Sequence, residues 1–237
     1  MKPVLVLQNL TPDGPGYLSH WLSEHGVPFE VFNTEAGQAY PERIDGYRAL
    51  ALMGGEMSAN DELPSLRQAE RLILQAMGAD LPVIGHCLGG QLMARALGAR
   101  VGTSPAPEVG WQSMQVADTA AARDWFGRPG DCTVYHWHGE SFELPTGAEL
   151  LASSPACPHQ AFAIGRHLAI QFHVELDAHK LATWSTSTDP SFLQLQRDHA
   201  TTVQTGSAMR AQALAALPAQ QRLADRLYRR WLMYPAR

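Results

Sequence analysis

Three short apolar runs, Val4-Leu5-Val6-Leu7, Arg48 to Met53 and Leu81-Pro82-Val83-Ile84, recur between helical stretches, and the last two end directly in glycine. A run of this length with no polar alternation reads as a strand buried on both faces. Tyr17 to His25, closed by Gly26, and Leu63 to Met77, before Gly78, carry apolar residues at helical spacing, and Pro28 to Phe32 reads as a further strand. Strand and helix alternating over short connections restrict the chain to an α/β fold. The expectation is a flavodoxin-like, doubly wound, mostly parallel sheet with helices on both faces and a ligand crevice at the carboxyl ends of the strands.

Beyond the second central helix the texture changes. Gly110 to Val116, Thr133 to Trp137, Ala161 to Ile164 and Leu168 to Phe172 are short strands between Pro, Gly and Asp-rich turns, which predicts a mixed or antiparallel extension of the sheet. From Asp177 the pattern is helical again. Ser185 to Pro190 reads as a loop, Ser191 to Val203 and Ala208 to Leu217 as helices, and Arg222 to Leu232 as a last helix started afresh after Pro218. This helical tail is free to pack on the domain or on a neighbouring protomer. A chain of 237 residues, 45% hydrophobic, buries a full core. One domain over 1–237 is expected, with a core to about residue 178 and a helical extension over about 179–237.

Charge and cysteine usage narrow the function. A net charge of -5 without any Lys/Arg run gives no footprint for nucleic acid. The opening MKPVLVLQN is too short an apolar stretch for a signal segment, and no later stretch approaches a membrane span, so a cytoplasmic protein with a small-molecule or protein partner is expected. Cys87, Cys132 and Cys157 are odd in number and form no CxxC pair, against both a disulfide framework and a zinc knuckle. No metal and no cofactor are expected.

Gly85-His86-Cys87-Leu88-Gly89-Gly90 stands where a strand hands over to a helix. Glycines at such a turn let the backbone bend sharply and lift the intervening side chain into the crevice, while the helix start offers free N–H groups and a positive dipole end. Cys87 is therefore either a nucleophile or a small residue packed in a turn. A thiolate needs a base and the base an orienting group. Phe172-His173-Val174-Glu175 supplies both: on a strand running through Phe172, His173 and Glu175 project to one face, so that one imidazole nitrogen meets the carboxylate and the other faces Cys87.

Gly85-x-Cys87-x-Gly89-x-Gln91, Phe172-His173-x-Glu175 and the strand ending Met53-Gly54-Gly55 together resemble the class I (triad) glutamine amidotransferases. The stretches from Met53 to Asp61 and from Trp137 to Pro145 are most similar to the stand-alone, GMP synthase-like type. The resemblance implies that Cys87 attacks the glutamine amide, that His173 is base and then acid, and that Glu175 orients it. It implies an oxyanion hole from the N–H groups of Gly55 and Leu88, and substrate contacts from Gly54, Gln91, Trp137, His138 and Gly139. Three residues depart from the family pattern: Glu56 where relatives often have proline, Glu140 where GMP synthases have aspartate, and His86 where an apolar residue is usual.

The substrate implied is glutamine or another γ-glutamyl compound, with ammonia passed to a separate synthetase, because the tail is too short for an ATP-binding domain. The alternatives are a γ-glutamyl peptide or γ-glutamyl compound hydrolase with the same triad, a dienelactone-hydrolase-like enzyme and a non-catalytic binding domain. The α/β-hydrolase order of nucleophile, acid, histidine is not met, since Glu175 follows His173. A metal site using His136, His138, His173 and Glu175, with His136-x-His138 at strand-face spacing, ranks lower because it gives the elbow cysteine no role. His136 is expected to pack.

Overall fold

The structure, a computed structural model, describes residues 1–233. Strands β1 (Val4–Gln8), β2 (Phe29–Asn33), β3 (Ala49–Leu52), β4 (Val83–His86), β5 (Val101–Val116), β6 (Gly130–Phe142), β7 (Glu149–Ser153), β8 (Ala161–Ile164) and β9 (His167–Ile170) form one sheet in the order β2-β1-β3-β4-β9-β8-β7-β5-β6. The first five in that order run parallel. The remaining pairings are antiparallel, which is the mixed extension expected.

Period-two alternation splits each central strand between two cores. Val4, Val6, Ala49 and Ala51 face helices α1 (Tyr17–Glu24), α4 (Ala120–Phe126) and α7 (Gly206–Met233). Leu5, Leu7, Leu50 and Leu52 face α2 (Pro64–Gly78) and α3 (Leu88–Ala96). Both faces are thus covered, as the unbroken apolar runs require.

The tail closes a third apolar cluster. Val109, Trp111 and Tyr135 of β5 and β6 pack with Leu181 of α5 (Ala178–Trp184), Phe192 of α6 (Pro190–Asp198) and Met209 of α7. The Trp111 indole donates to the Met209 carbonyl at 3.0 Å. Buried Gln220 accepts from the Tyr135 backbone at 2.7 Å and donates to the His173 carbonyl at 3.0 Å. Of the two places open to the tail, the sheet of its own chain is the one it occupies.

Four local expectations are corrected. Helix α7 runs unbroken through Pro218. The ring removes one hydrogen bond there, but the residue four before it, Leu214, is 90% exposed, so water can take the freed carbonyl. Helix α6 stops at Asp198, and the chain then turns so that Val203 pairs with Val109 as an isolated bridge. Strands β5 and β6 are longer than their apolar segments: a register shift between Thr103 and Glu108 takes up Pro105 and Pro107, which have no N–H for the ladder. Strand β9 ends at Ile170, short of Phe172, with consequences for the site. Strand β7 and helix α4 carry no strong periodicity and have no counterpart among the expected elements.

Candidate active site

The β4-α3 connection puts Cys87 at φ 49°, ψ −109°, in the left-handed region that side chains rarely adopt. Its N–H donates to the Ile170 carbonyl of the neighbouring strand at 2.9 Å, and its carbonyl accepts from Gln91 N–H at 3.0 Å. Both ends of the strained residue are pinned. The bend works because helix α3 lies directly on the sheet: a Cβ on Gly85 would stand 2.5 Å from Gly89 backbone, and one on Gly89 2.5 Å from the Leu52 carbonyl oxygen. The thiol lies 3.5 Å from the Gln171 amide nitrogen and 3.7 Å from the Trp137 carbonyl oxygen.

His173 and Glu175 come together, though not by strand alternation. After β9 ends, residues His173 to Leu176 form a turn closed by Leu176 N–H on the His173 carbonyl at 3.2 Å. Within it His173 Nδ1 donates to Glu175 Oε1 at 2.6 Å, a buried charge-assisted contact. His173 N–H is held by the Tyr135 carbonyl at 2.8 Å, and the ring stands edge-on to Trp184 with centroids 4.9 Å apart. The other nitrogen, Nε2, makes no close hydrogen bond. Burial disfavours the imidazolium, but the Glu175 carboxylate and the nearby Cys87 thiol outweigh it and push His173 well above its ordinary value. Glu175 is held below the carboxylate range: burial opposes its charge, and Lys180 and His173 more than compensate.

Gly55, Cys87, Gln91, Trp137, His138, Gly139 and His173 line one cleft of about 790 Å³. Gly54, Leu88 and Glu175 stand behind that lining. A Cβ on Gly54 would meet His173 Cε1 at 3.2 Å, and one on Gly55 would meet Leu88 Cδ2 at 2.9 Å, so the glycine turn after β3 abuts both His173 and the α3 start. Leu88 opens α3, where first-turn N–H groups have no partner inside the helix. Gln91 spends its amide nitrogen on the Glu140 carbonyl (3.1 Å) and Gln171 (3.3 Å). The His138 ring is turned toward Glu108, with Nε2 3.3 Å from its carboxylate.

The departures acquire places. His86, fully buried, has Nδ1 3.1 Å from the Leu52 carbonyl and Nε2 3.3 Å from the Tyr228 hydroxyl, so it ties the elbow strand to α7. Glu140 accepts from the Ser58 hydroxyl at 2.9 Å, and Glu56 lines the cleft. Asp13, Lys180, Trp184 and Phe192 belong to the site or its wall, and sequence reasoning misses them. A lone lysine in a helix and an aspartate in a turn carry no sequence signal; the Trp184 to Phe192 segment offers only its aromatics.

Among the described residues, two groups of ligand-type side chains have atoms within 4.8 Å of one another: Glu108, His136 and His138, and Asp13, His173 and Glu175. The Lys180 ammonium sits 2.8 Å from Asp13 and 3.3 Å from Glu175, so a cation in the second group would meet a fixed positive charge. In the first, Glu108 already accepts from Ser154 (2.9 Å) and Gln160 (2.5 Å), and His136 is packed with no exposure.

Three other histidines set acid stability. Burial pushes His86 below its ordinary value, His136 to about 3 and His167 to about 4. Below pH 6.5 the unfolded chain binds protons that the fold refuses, so stability is expected to fall from there toward pH 4, by up to about 1.4 kcal/mol per pH unit for each group. His173 has the opposite sign: its contribution is complete below the unfolded value and is lost as pH rises through its raised one. Urea midpoints across pH 4 to 8 check this, and a flat curve below 6.5 contradicts it.

A doubly wound sheet with a thiol on a positive-φ strand-to-helix turn, beside a buried histidine-carboxylate pair, defines an α/β protein of the nucleophile-elbow class. The chain belongs to the class I glutamine amidotransferases, whose family description, "Glutamine amidotransferase class-I", matches residues 17–183. Among curated proteins it is 33% identical over 172 residues to the glutamine amidotransferase-like protein YfeJ of Salmonella typhimurium, covering 69% of this chain and 71% of that one. It is 29% identical to gamma-glutamyl peptidase 3 of Arabidopsis thaliana, with 68% and 69% covered. The crystal structure of a glutamine amidotransferase from Methylobacillus flagellatus superposes with a TM-score of 0.89 at 32% identity, over 98% of this chain and 95% of that one. Among the described residues no helix is long and apolar enough to cross a membrane.

Proposed function

We propose that the protein hydrolyses the side-chain amide of glutamine through a cysteinyl thioester, releasing ammonia for a separate acceptor enzyme. The observation that carries this is the 2.6 Å contact of His173 Nδ1 with Glu175, which leaves Nε2 for the Cys87 thiol. The Cys87 sulfur attacks the amide carbon, and its proton passes to His173. The oxyanion is met by the N–H groups of Gly55 and Leu88. His173 then gives the proton to the departing nitrogen, which leaves as ammonia. Water, deprotonated by His173, attacks the thioester, and glutamate and the free thiol are restored. Gln91, Trp137, His138 and Gly139 hold the amino acid, His138 through its backbone because its ring faces Glu108, and Gly54 serves from behind the lining by leaving room for His173.

A second reading keeps the same chemistry and changes the leaving group. The cleft, about 790 Å³, is at the upper end for small-molecule sites and far exceeds one glutamine. Its outer wall of Trp137, Trp184 and Phe192 suits a γ-glutamyl compound with an apolar substituent on the amide. Glutaminase assays across γ-glutamyl substrates, with and without cell lysate, separate the two. Glutamine turnover that rises with lysate supports amidotransfer; glutamate released steadily from γ-glutamyl peptides, with negligible glutamine turnover, overturns it. Glu175→Gln is expected to lower kcat about 10²-fold or more without abolishing it, because the carboxylate orients the imidazole and stabilises its cation without exchanging the proton. Full kcat in that variant assigns the orienting role elsewhere.

A further inference from the structure

Lys180 lies on α5, is 4% exposed and carries its charge inside the protein. Its Nζ donates to Asp13 Oδ1 at 2.8 Å, the Gly14 carbonyl at 2.9 Å and Glu175 Oε1 at 3.3 Å, and stands 4.8 Å over the Trp184 ring. Glu175 Oε1 is also the oxygen that accepts from His173 Nδ1, whereas Oε2 has no close partner. Two positive groups therefore compete for one carboxylate oxygen. Asp13 approaches the imidazole from another side: its Oδ2 would lie 2.6 Å from a Cβ on Gly54, the same Cβ that would touch His173 Cε1. The absent side chain of Gly54 makes that approach possible.

We propose that Lys180 and Asp13 are a positioning pair that sets the proton affinity of His173, and through it of the Cys87–His173 couple; this rests on the triad reading above. A buried carboxylate alone would hold the imidazolium so tightly that return of the proton to a leaving nitrogen would be slow. Lys180 on the same oxygen weakens that hold, and Asp13 balances the charge Lys180 brings into the site. Other groups facing the cluster are His86 on β4 and His136 on β6, both kept neutral by burial, and Tyr228 on α7, whose hydroxyl burial keeps protonated. Tyr17 of α1, bonded to Asp225 of α7 at 2.8 Å, stands further out.

The sign is opposite for the two partners. Removing the Lys180 charge makes the surroundings more negative and raises both midpoints of the Cys87–His173 couple; removing the Asp13 charge lowers them. At these distances each shift is about one pH unit.

The test is the pH profile of Cys87 alkylation by chloroacetamide in the full-length protein, with kcat/KM for glutamine in parallel. Lys180→Met is expected to move the profile up by about one unit and Asp13→Asn down by about as much. The double variant should return near the wild-type midpoint, and Lys180→Arg should keep it. Lys180→Met leaves two buried carboxylates facing each other, so Asp13→Asn and the double variant carry the test should it fail to fold. An unmoved midpoint in Asp13→Asn, or shifts of the same sign in the two single variants, overturns the inference even if kcat falls. Failure of Cys87 to alkylate in wild type at any pH removes the triad reading itself, a different result from alkylation with unmoved midpoints.

Discussion

Cys87→Ala is expected to abolish covalent labelling by a glutamine-analogue chloroketone and to lower turnover by about 10⁴-fold or more, as loss of a covalent nucleophile does. The competing thiols make this a clean measurement. Cys157 has no exposure, and burial pushes its thiol up to about 12. Cys132 is partly exposed, and burial raises it as well, against the pull of Arg128. Both stay protonated near neutrality and react slowly. Cys132→Ser and Cys157→Ser should therefore label at the wild-type rate, read as intact mass after a timed exposure. Label that persists in Cys87→Ala removes the nucleophile assignment.

Gly85→Ala should give a large loss of stability from a single added methyl group. The new Cβ would stand 2.5 Å from the Gly89 carbonyl carbon and oxygen and 2.6 Å from Gly90 N. These are backbone atoms of the first turn of α3, which is itself wedged against the Leu52 carbonyl oxygen through Gly89 and the Ile170 carbonyl oxygen through Gly90. No rotamer change relieves such a contact, so the helix must lift off the sheet. A cost of at least about 3 kcal/mol follows, at the upper end for overpacking. Gly78→Ala is the control. Its Cβ meets nothing within 4 Å at the end of α2, and a small gain of up to about 1 kcal/mol is expected from helix propensity. Urea unfolding compares the two; a loss below about 1 kcal/mol in Gly85→Ala means the elbow has slack.

The parallel half of the sheet is legible because each central strand is buried on both faces and so carries an apolar run, with glycine directly after the runs that end at Met53 and Ile84. The antiparallel half is legible only in outline. Strand β7, Glu149 to Ser153, is polar at both ends, and β5 holds two prolines inside a register shift; neither pattern announces a strand. Pro218 misleads for the opposite reason: a strong local rule gives way where the freed carbonyl has solvent. In the candidate site, His173 and Glu175 stand two apart and Cys87 sits in its own glycine-rich turn, so local pattern marks all three as candidates. Strand alternation is nevertheless the wrong reason for the His173–Glu175 contact, since a turn and not a strand face makes it. Asp13 and Lys180, 167 residues apart, meet only because α5 folds back over the turn before α1. No local pattern encodes such a pairing.

The bond from Gln220 to the His173 carbonyl bears on the order in which the site is completed during synthesis. Residues 1–178 carry Cys87, His173 and Glu175, and their sheet can form as they emerge from the ribosome. Until residue 220 has followed them out, the His173 carbonyl and the Tyr135 N–H lack their Gln220 partner, and until residue 228 has, His86 lacks the Tyr228 hydroxyl. The turn that carries His173 thus gains its last backbone partner only when the C-terminal helix has docked on the sheet.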